Sequence, residues 1–267
     1  AYKEWTEYHR SLKRDKAADN LSPVERKKKL EKLEANVIEW ILFFFSEFAK
    51  YPFTKFHKKA IKRITTNMEW YEVLSWSREL AKSTIVFMCM MYLVLTGKKK
   101  NVLLISNSHE NAVRLLEPYK KAFESNSMLK AYYGDLREFG SWTADEFTLT
   151  TGATFRAIGA LESPRGTRKD AVRPDTALVD DFDTDADCRN PDILKKKWEW
   201  FEEALFPTRS ISEDLLVIFC GNLIALDCCV KRAGDKADHW DIVNIRDKDG
   251  KSSWPEKNTE VRINRIQ

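Results

Sequence analysis

Leu30, Leu33, Val37, Ile41 and Phe44 recur at helical spacing and give the segment after Ser22 one apolar face. The run Ser22-Pro23-Val24-Glu25 has the form of a capping box with proline at the first helical position, so a helix is predicted to begin there. Pro52 disfavours helix in the residue before it, which sets the predicted end near Tyr51. Residues 1–21 read as a shorter helix or a loose arm. A second helix is predicted over residues 54–65, where Lys55, Lys58, Lys59, Lys62 and Arg63 are interspersed with Phe56, Ile61 and Ile64.

From residue 71 the period changes. Short apolar runs at 72–76, 101–106, 146–150, 154–158, 176–180 and 215–220 predict strands, and the longer periodic stretches 83–95, 108–125 and 191–205 predict helices between them. That alternation predicts an α/β fold with a mostly parallel sheet covered on both faces. Ligands in such folds bind at the carboxyl ends of the strands, and the chemically distinctive groups of this chain fall at such ends. After Asp227 the pattern decays into a charged stretch at 235–250, so residues 225–267 read as a lid followed by a linker or tail. The expected organisation is an N-terminal helical arm or subdomain (1–50), a core (51–230), and a lid and linker (231–267). Internal repeats are absent.

Composition narrows the class. The 267 residues are 43% hydrophobic and 32% charged, which fits a globular, soluble chain. The apolar stretch 37–45 contains Glu39 and is followed by Glu47, too short and too charged to span a bilayer; no membrane association is expected. Residues 1–14 are polar and mixed in charge, unlike a signal peptide. Five cysteines without CxxC spacing point to reduced thiols in a cytoplasmic compartment, most of them core fillers. The first 68 residues hold 16 Lys and Arg against 9 Asp and Glu, and the remainder 29 against 32. A basic front fits contact with a polyanion, although a solvated helix face accounts for Arg26 to Lys29 equally well.

The candidate chemistry centres on residues 76–84, Trp-Ser-Arg-Glu-Leu-Ala-Lys-Ser-Thr, between a strand and an apolar helix. A strand entering a tight turn with Lys-Ser at a helix mouth is the architecture of a phosphate-binding loop, because exposed helix N–H groups and a lysine attract phosphate. Lys82 would reach the β- and γ-phosphates, Ser83 would coordinate Mg²⁺, and Arg78 would add positive charge. The glycines of Gly-x4-Gly-Lys-Ser/Thr are replaced by Trp76 and Ala81. A second group strengthens the reading. The strand 176–180 ends in Asp180-Asp181, where Asp180 would hold Mg²⁺ and Asp181 would orient or deprotonate the attacking water, with Asp183 as the fallback base. A solvated acidic turn is the plain alternative. A calcium loop over Asp181, Asp183, Asp185 and Asp187 fails at Ala186, where glycine is needed, and at Asp192, where glutamate is needed. Strand 215–220 ends in Gly221-Asn222, and Asn222 could sense the γ-phosphate. The loop 163–169 is basic and could bind DNA phosphates or project an arginine into a neighbouring subunit's site. His57, His109 and His239 show no metal-ligand spacing.

Taken in order, these segments resemble the large terminase subunit of tailed double-stranded-DNA phages. Ser77, Arg78, Glu79, Leu80, Ala81, Lys82, Ser83 and Thr84 resemble that family's variant Walker A loop, which also begins Ser-Arg. Val102 to Asn111 is similar to its next strand and helix start. Arg165-Gly166-Thr167-Arg168, Arg173-Pro174-Asp175 and Val179-Asp180-Asp181 resemble the run from its arginine-glycine loop into Walker B. Gly221-Asn222 falls where the coupling motif belongs, and Trp254-Pro255-Glu256 resembles the segment before the nuclease domain. The resemblance implies an additional-strand, RecA-like P-loop ATPase that binds ATP and Mg²⁺ and drives double-stranded DNA into a preformed capsid. It implies a homo-oligomeric ring on the portal protein of the procapsid (the isolated domain being monomeric or oligomeric), a small terminase subunit as partner, and a host-cell cytoplasmic location. It further implies Arg78 acting in cis, Arg165 in trans, an adenine-binding segment near residues 53–57, and a nuclease domain for which residues up to Gln267 leave no room. Two other readings share the motifs: a helicase-like nucleic-acid-dependent ATPase, and a nucleotide-binding assembly module without turnover.

Overall fold

The computed structural model describes residues 21–164, 173–210 and 213–265. The shorter helix or loose arm expected over residues 1–21 and the basic loop 163–169 lie almost wholly outside them. Helix α1 (Pro23–Glu34) begins as predicted: Glu25 N–H donates to Ser22 Oγ at 3.3 Å and Ser22 N–H to Glu25 Oε2 at 2.9 Å. It does not run on to Tyr51. Asn36 is extended, and its Oδ1 accepts from Ile38 N–H and Glu39 N–H, which starts a new helix, α2 (Val37–Phe44). Apolar spacing continues across the break, so periodicity alone reads two helices as one. Helix α3 (Lys55–Thr66) follows, with Thr54 at its N-cap.

Strand β1 (Trp70–Trp76) leads into α4 (Lys82–Leu95). Residues 85–94 of α4 are all buried, which is why the segment has no polar face in sequence. Then come β2 (Asn101–Ser106), α5 (His109–Ser125), α6 (Ser127–Tyr133), β3 (Arg137–Trp142), β4 (Glu146–Leu149) and β5 (Thr154–Gly159). After β6 (Thr176–Asp180) lie α7 (Asp185–Cys188) and α8 (Pro191–Glu199), the latter continuing as a π-helical turn over Trp200–Leu205. The chain closes with β7 (Leu216–Cys220), α9 (Cys229–Lys236), β8 (His239–Val243) and α10 (Glu260–Ile263).

Among the described residues eight strands form one sheet in the order β3-β4-β5-β2-β6-β7-β1-β8. From β5 to β8 every pairing is parallel; β4 is antiparallel to β5, and β3 to β4. The fold is therefore α/β with a mostly parallel sheet, as the alternation predicts. One strand, β7, is interposed between β1 and β6. Within residues 231–267, β8 lies parallel to β1 at the sheet edge. Strands β3 and β8 escape the sequence pattern because both are edge strands without a single buried residue, β3 being exposed over residues 137–140.

Alternation along each strand divides the core between two faces. Leu74, Leu104, Leu178 and Ile218 pack with α2, α4 and α5, whereas Val73, Leu103, Val179 and Phe219 pack with α8, the π-turn and α9. Each such side chain, fully buried, contributes about 1.5–3 kcal/mol. Gly234 of α9 allows one close approach, since a Cβ there would lie 2.3 Å from the Trp240 ring of β8. Four of the five cysteines are buried, Cys188 is half-buried, and all are free. Among the described residues no helix is long and apolar enough to cross a membrane.

Candidate functional site

The turn between β1 and α4 is held by its backbone. Ser77 N–H donates to Val243 O at 2.8 Å and Leu80 N–H to Ser77 O at 3.4 Å, while Ala81, the N-cap of α4, accepts from Ile85 N–H at 2.9 Å. Glu79 and Ala81 have φ of 70° and 59°, in the left-handed region. A side chain bearing a Cβ adopts that region at a cost of about 1 kcal/mol, which glycine avoids. Ala81 thus takes a conformation that glycine adopts without that cost. Trp76, at the position of the pattern's first glycine, is instead a buried strand residue whose ring packs edge-on against Phe56 and His57.

Three donors from elsewhere fix the turn. Lys257 Nζ donates to Glu79 O at 2.9 Å and lies 3.1 Å from Glu79 Oε2, and Asn258 Nδ2 donates to Glu79 O at 3.3 Å. His57 reaches Leu80 O at 3.0 Å through Nε2. Because His57 Nδ1 accepts Thr54 N–H at 3.2 Å, the ring proton sits on Nε2, which is the donor to Leu80. Burial lowers the His57 pKa to about 4, so the ring is neutral. Trp254 closes the group: its Nε1–H donates to Pro52 O at 3.0 Å and its ring lies edge-on to His57, centroids 4.5 Å apart. The spacing of the sequence gives no sign of the Lys257 and Asn258 contacts, which join residues 178 and 179 positions apart.

At the mouth of α4 three strand ends converge. Ser83 Oγ donates to Asp180 Oδ2 at 2.6 Å, and Lys82 Nζ donates to Asn222 Oδ1 at 3.4 Å. Asp180 ends β6, and Asn222 follows β7 by two residues. Burial, and then the neighbouring Asp181 charge, push the Asp180 carboxyl up to about 6, while Lys82 and Ser83 act in the opposite direction. Asp181 is exposed, turns away from the strand at φ 47°, donates its N–H to Asp180 Oδ1 at 3.1 Å, and has its carbonyl 3.5 Å from Ser106 Oγ. Leu80 is buried, Thr84 is half-buried, and Arg78 is exposed at the lip of the turn. The structure thus brings together Lys82, Ser83, Asp180, Asp181 and Asn222. Arg165 lies outside the described residues.

A hydroxyl and a carboxylate oxygen 2.6 Å apart, beside a helix N-terminus, are the hard donors that Mg²⁺ takes through one or two protein groups, so Ser83 and Asp180 fit the ion. Asp183 does not fit the role of base. Its Oδ1 and Oδ2 accept Cys229 N–H at 3.1 Å and Val230 N–H at 2.9 Å, capping α9 from outside. Asp187 is likewise engaged, 2.8 Å from the buried Lys197, which holds its carboxyl below the usual range together with the Thr184 hydroxyl. A further group of ligand-type side chains, Glu72, His239 and Asp241, comes together near the start of β1. There Arg63 donates to Glu72 Oε1 and to Asp241 Oδ2, each at 2.6 Å, so a cation is already present.

No protein-family model matches the chain, and no curated protein matches it. Among solved structures it is similar to the HK97 bacteriophage large terminase, with a TM-score of 0.49 and 14% sequence identity over 78% of this chain and 43% of that one. The chain therefore spans less than half the length of that structure.

Proposed function

We propose that this chain is an ATP hydrolase of the phosphate-loop type and the motor of a viral DNA-packaging machine, driving double-stranded DNA into a preformed capsid. The observation that carries the hydrolase reading is the convergence at one helix mouth of Lys82, Ser83, Asp180 and Asn222, linked by bonds of 2.6 and 3.4 Å. The packaging reading is supported by the order of the terminase-like segments along the sequence, from the Ser77-Arg78 loop to Trp254.

The first amides of α4 have no intrahelical partner and face outward at the positive end of the helix dipole, where they bind phosphate oxygens. Lys82 adds a full charge there, and Asn222 orients it. Held by Ser83 and Asp180, Mg²⁺ would supply further positive charge to the transferring phosphoryl group. Asp181 takes a proton from the attacking water. Arg78 acts in cis from the lip of the turn, and Arg165 is offered in trans by a neighbouring copy. The partners that follow are duplex DNA, a portal and procapsid on which copies form a ring, and a small terminase subunit.

Phosphate release from Mg²⁺ and ATP tests the reading with the native chain and with Lys82→Ala and Asp181→Ala. Release by the native chain alone supports it; equal background release from all three overturns it. Stimulation by procapsids, and not by DNA alone, separates packaging from a helicase-like activity.

A further inference from the structure

We infer that His57, Lys257 and Asn258 are positioning residues that set the affinity of the 77–84 turn for a nucleoside triphosphate. The inference rests on the phosphate-loop reading above, but its elements lie outside the motif: one on α3, two in the stretch between β8 and α10. In a trans peptide the carbonyl and the following N–H point in opposite directions. The Nε2–H of His57 draws Leu80 O to one side and so turns Ala81 N–H to the other. Lys257 and Asn258 together hold Glu79 O, 2.9 and 3.3 Å away. The carbonyls of both residues are thereby turned away from the anion, which would otherwise face oxygen dipoles. Glu79 and Ala81 are the two residues of the turn that hold a left-handed conformation at a cost, and such conformations persist where surrounding contacts over-determine them. Trp254 locks the support itself, bonding Pro52 O and covering the His57 ring. Lys257 is largely buried on its stem while Glu79 is 60% exposed, so the lysine is the fixed partner of the pair.

The test uses the full chain with Lys257→Met, Asn258→Ala and the double variant, each checked for an unchanged melting temperature, alongside Lys257→Arg. Two readouts are taken: the dissociation constant for Mg²⁺ and ATP, and the rate at which an arginine-specific protease cuts after Arg78. Loss of hydrogen bonds of ordinary strength predicts about tenfold weaker binding in the double variant, at least tenfold faster cutting, and near-native values for Lys257→Arg. If the double variant melts early, Lys257→Met alone is read, with a threefold effect expected. Unchanged cutting overturns the inference. Faster cutting with unchanged affinity also overturns it, since the turn's conformation would then not govern binding. Failure of the native chain to bind ATP at all, with cutting still faster in the variants, overturns the phosphate-loop reading and the affinity role with it, while leaving the brace on the turn established.

Discussion

Ser83 Oγ donates to Asp180 Oδ2 at 2.6 Å, joining residues 97 positions apart at the adjoining ends of α4 and β6. Asp180 is the carboxylate of the site that burial penalises most, and it keeps a hydroxyl and, through Lys82, a positive charge nearby. Asp180→Asn is expected to keep the fold but to abolish Mg²⁺-dependent ATP binding and to lower turnover at least 100-fold, read by phosphate release against Mg²⁺ concentration.

Asp181 and Asp183 are expected to separate cleanly. Asp183→Ala removes the acceptor for Cys229 N–H and Val230 N–H and should cost about 1 kcal/mol, seen as a lower denaturant midpoint. Asp181→Ala should leave the midpoint almost unchanged and remove hydrolysis. A reversed pattern would exchange their roles.

At φ 59° Ala81 carries a cost that glycine does not. Ala81→Gly is expected to preserve or raise ATP hydrolysis and to change stability by less than about 1 kcal/mol, because relief of strain is offset by greater freedom of the unfolded chain. Ala81→Val, with a β-branched side chain in the left-handed region, should lose binding. A large loss of activity in Ala81→Gly would contradict the turn geometry.

His57 gives a pH dependence with a definite sign. Its folded pKa of about 4 lies below the ordinary value of 6.5, so between these values the unfolded chain binds more protons than the folded one. Its contribution is full above about pH 6.5 and is lost progressively as pH falls towards 4, amounting to about 3 kcal/mol over the window. His57→Gln, which retains a donor near Leu80 O without titrating there, should flatten the melting temperature across that range.

Arg165 is tested by mixing. Arg165→Ala and Asp181→Ala subunits, each inactive alone, should regain some ATP hydrolysis together if the arginine serves a neighbouring copy; no recovery in assembled rings removes that role.

The sequence by itself determined the elements whose burial is complete. Residues 101–106 and 176–180 are strands as read, and α4 begins one residue before its predicted start, because a segment buried on all sides carries an uninterrupted apolar signal. The grouping of residues at the strand ends is legible for a related reason: Lys82, Ser83, Asp180 and Asn222 each stand beside an apolar run whose end is sharp. Tertiary structure decided the rest. The edge strands β3 and β8 form through backbone pairing, β3 with the adjoining β4 and β8 with β1 far back along the chain, which side-chain periodicity does not encode. Asn36 splits a continuous apolar face by capping locally. Asp183 looks like Asp181 in sequence, and only the approach of α9 makes it a cap. The turn at residues 77–81 reads in sequence as a motif lacking its glycines, and its shape depends on His57 of α3 and on Lys257 and Asn258, the last two reaching it only once β8 has paired with β1 and carried the chain back across the sheet edge.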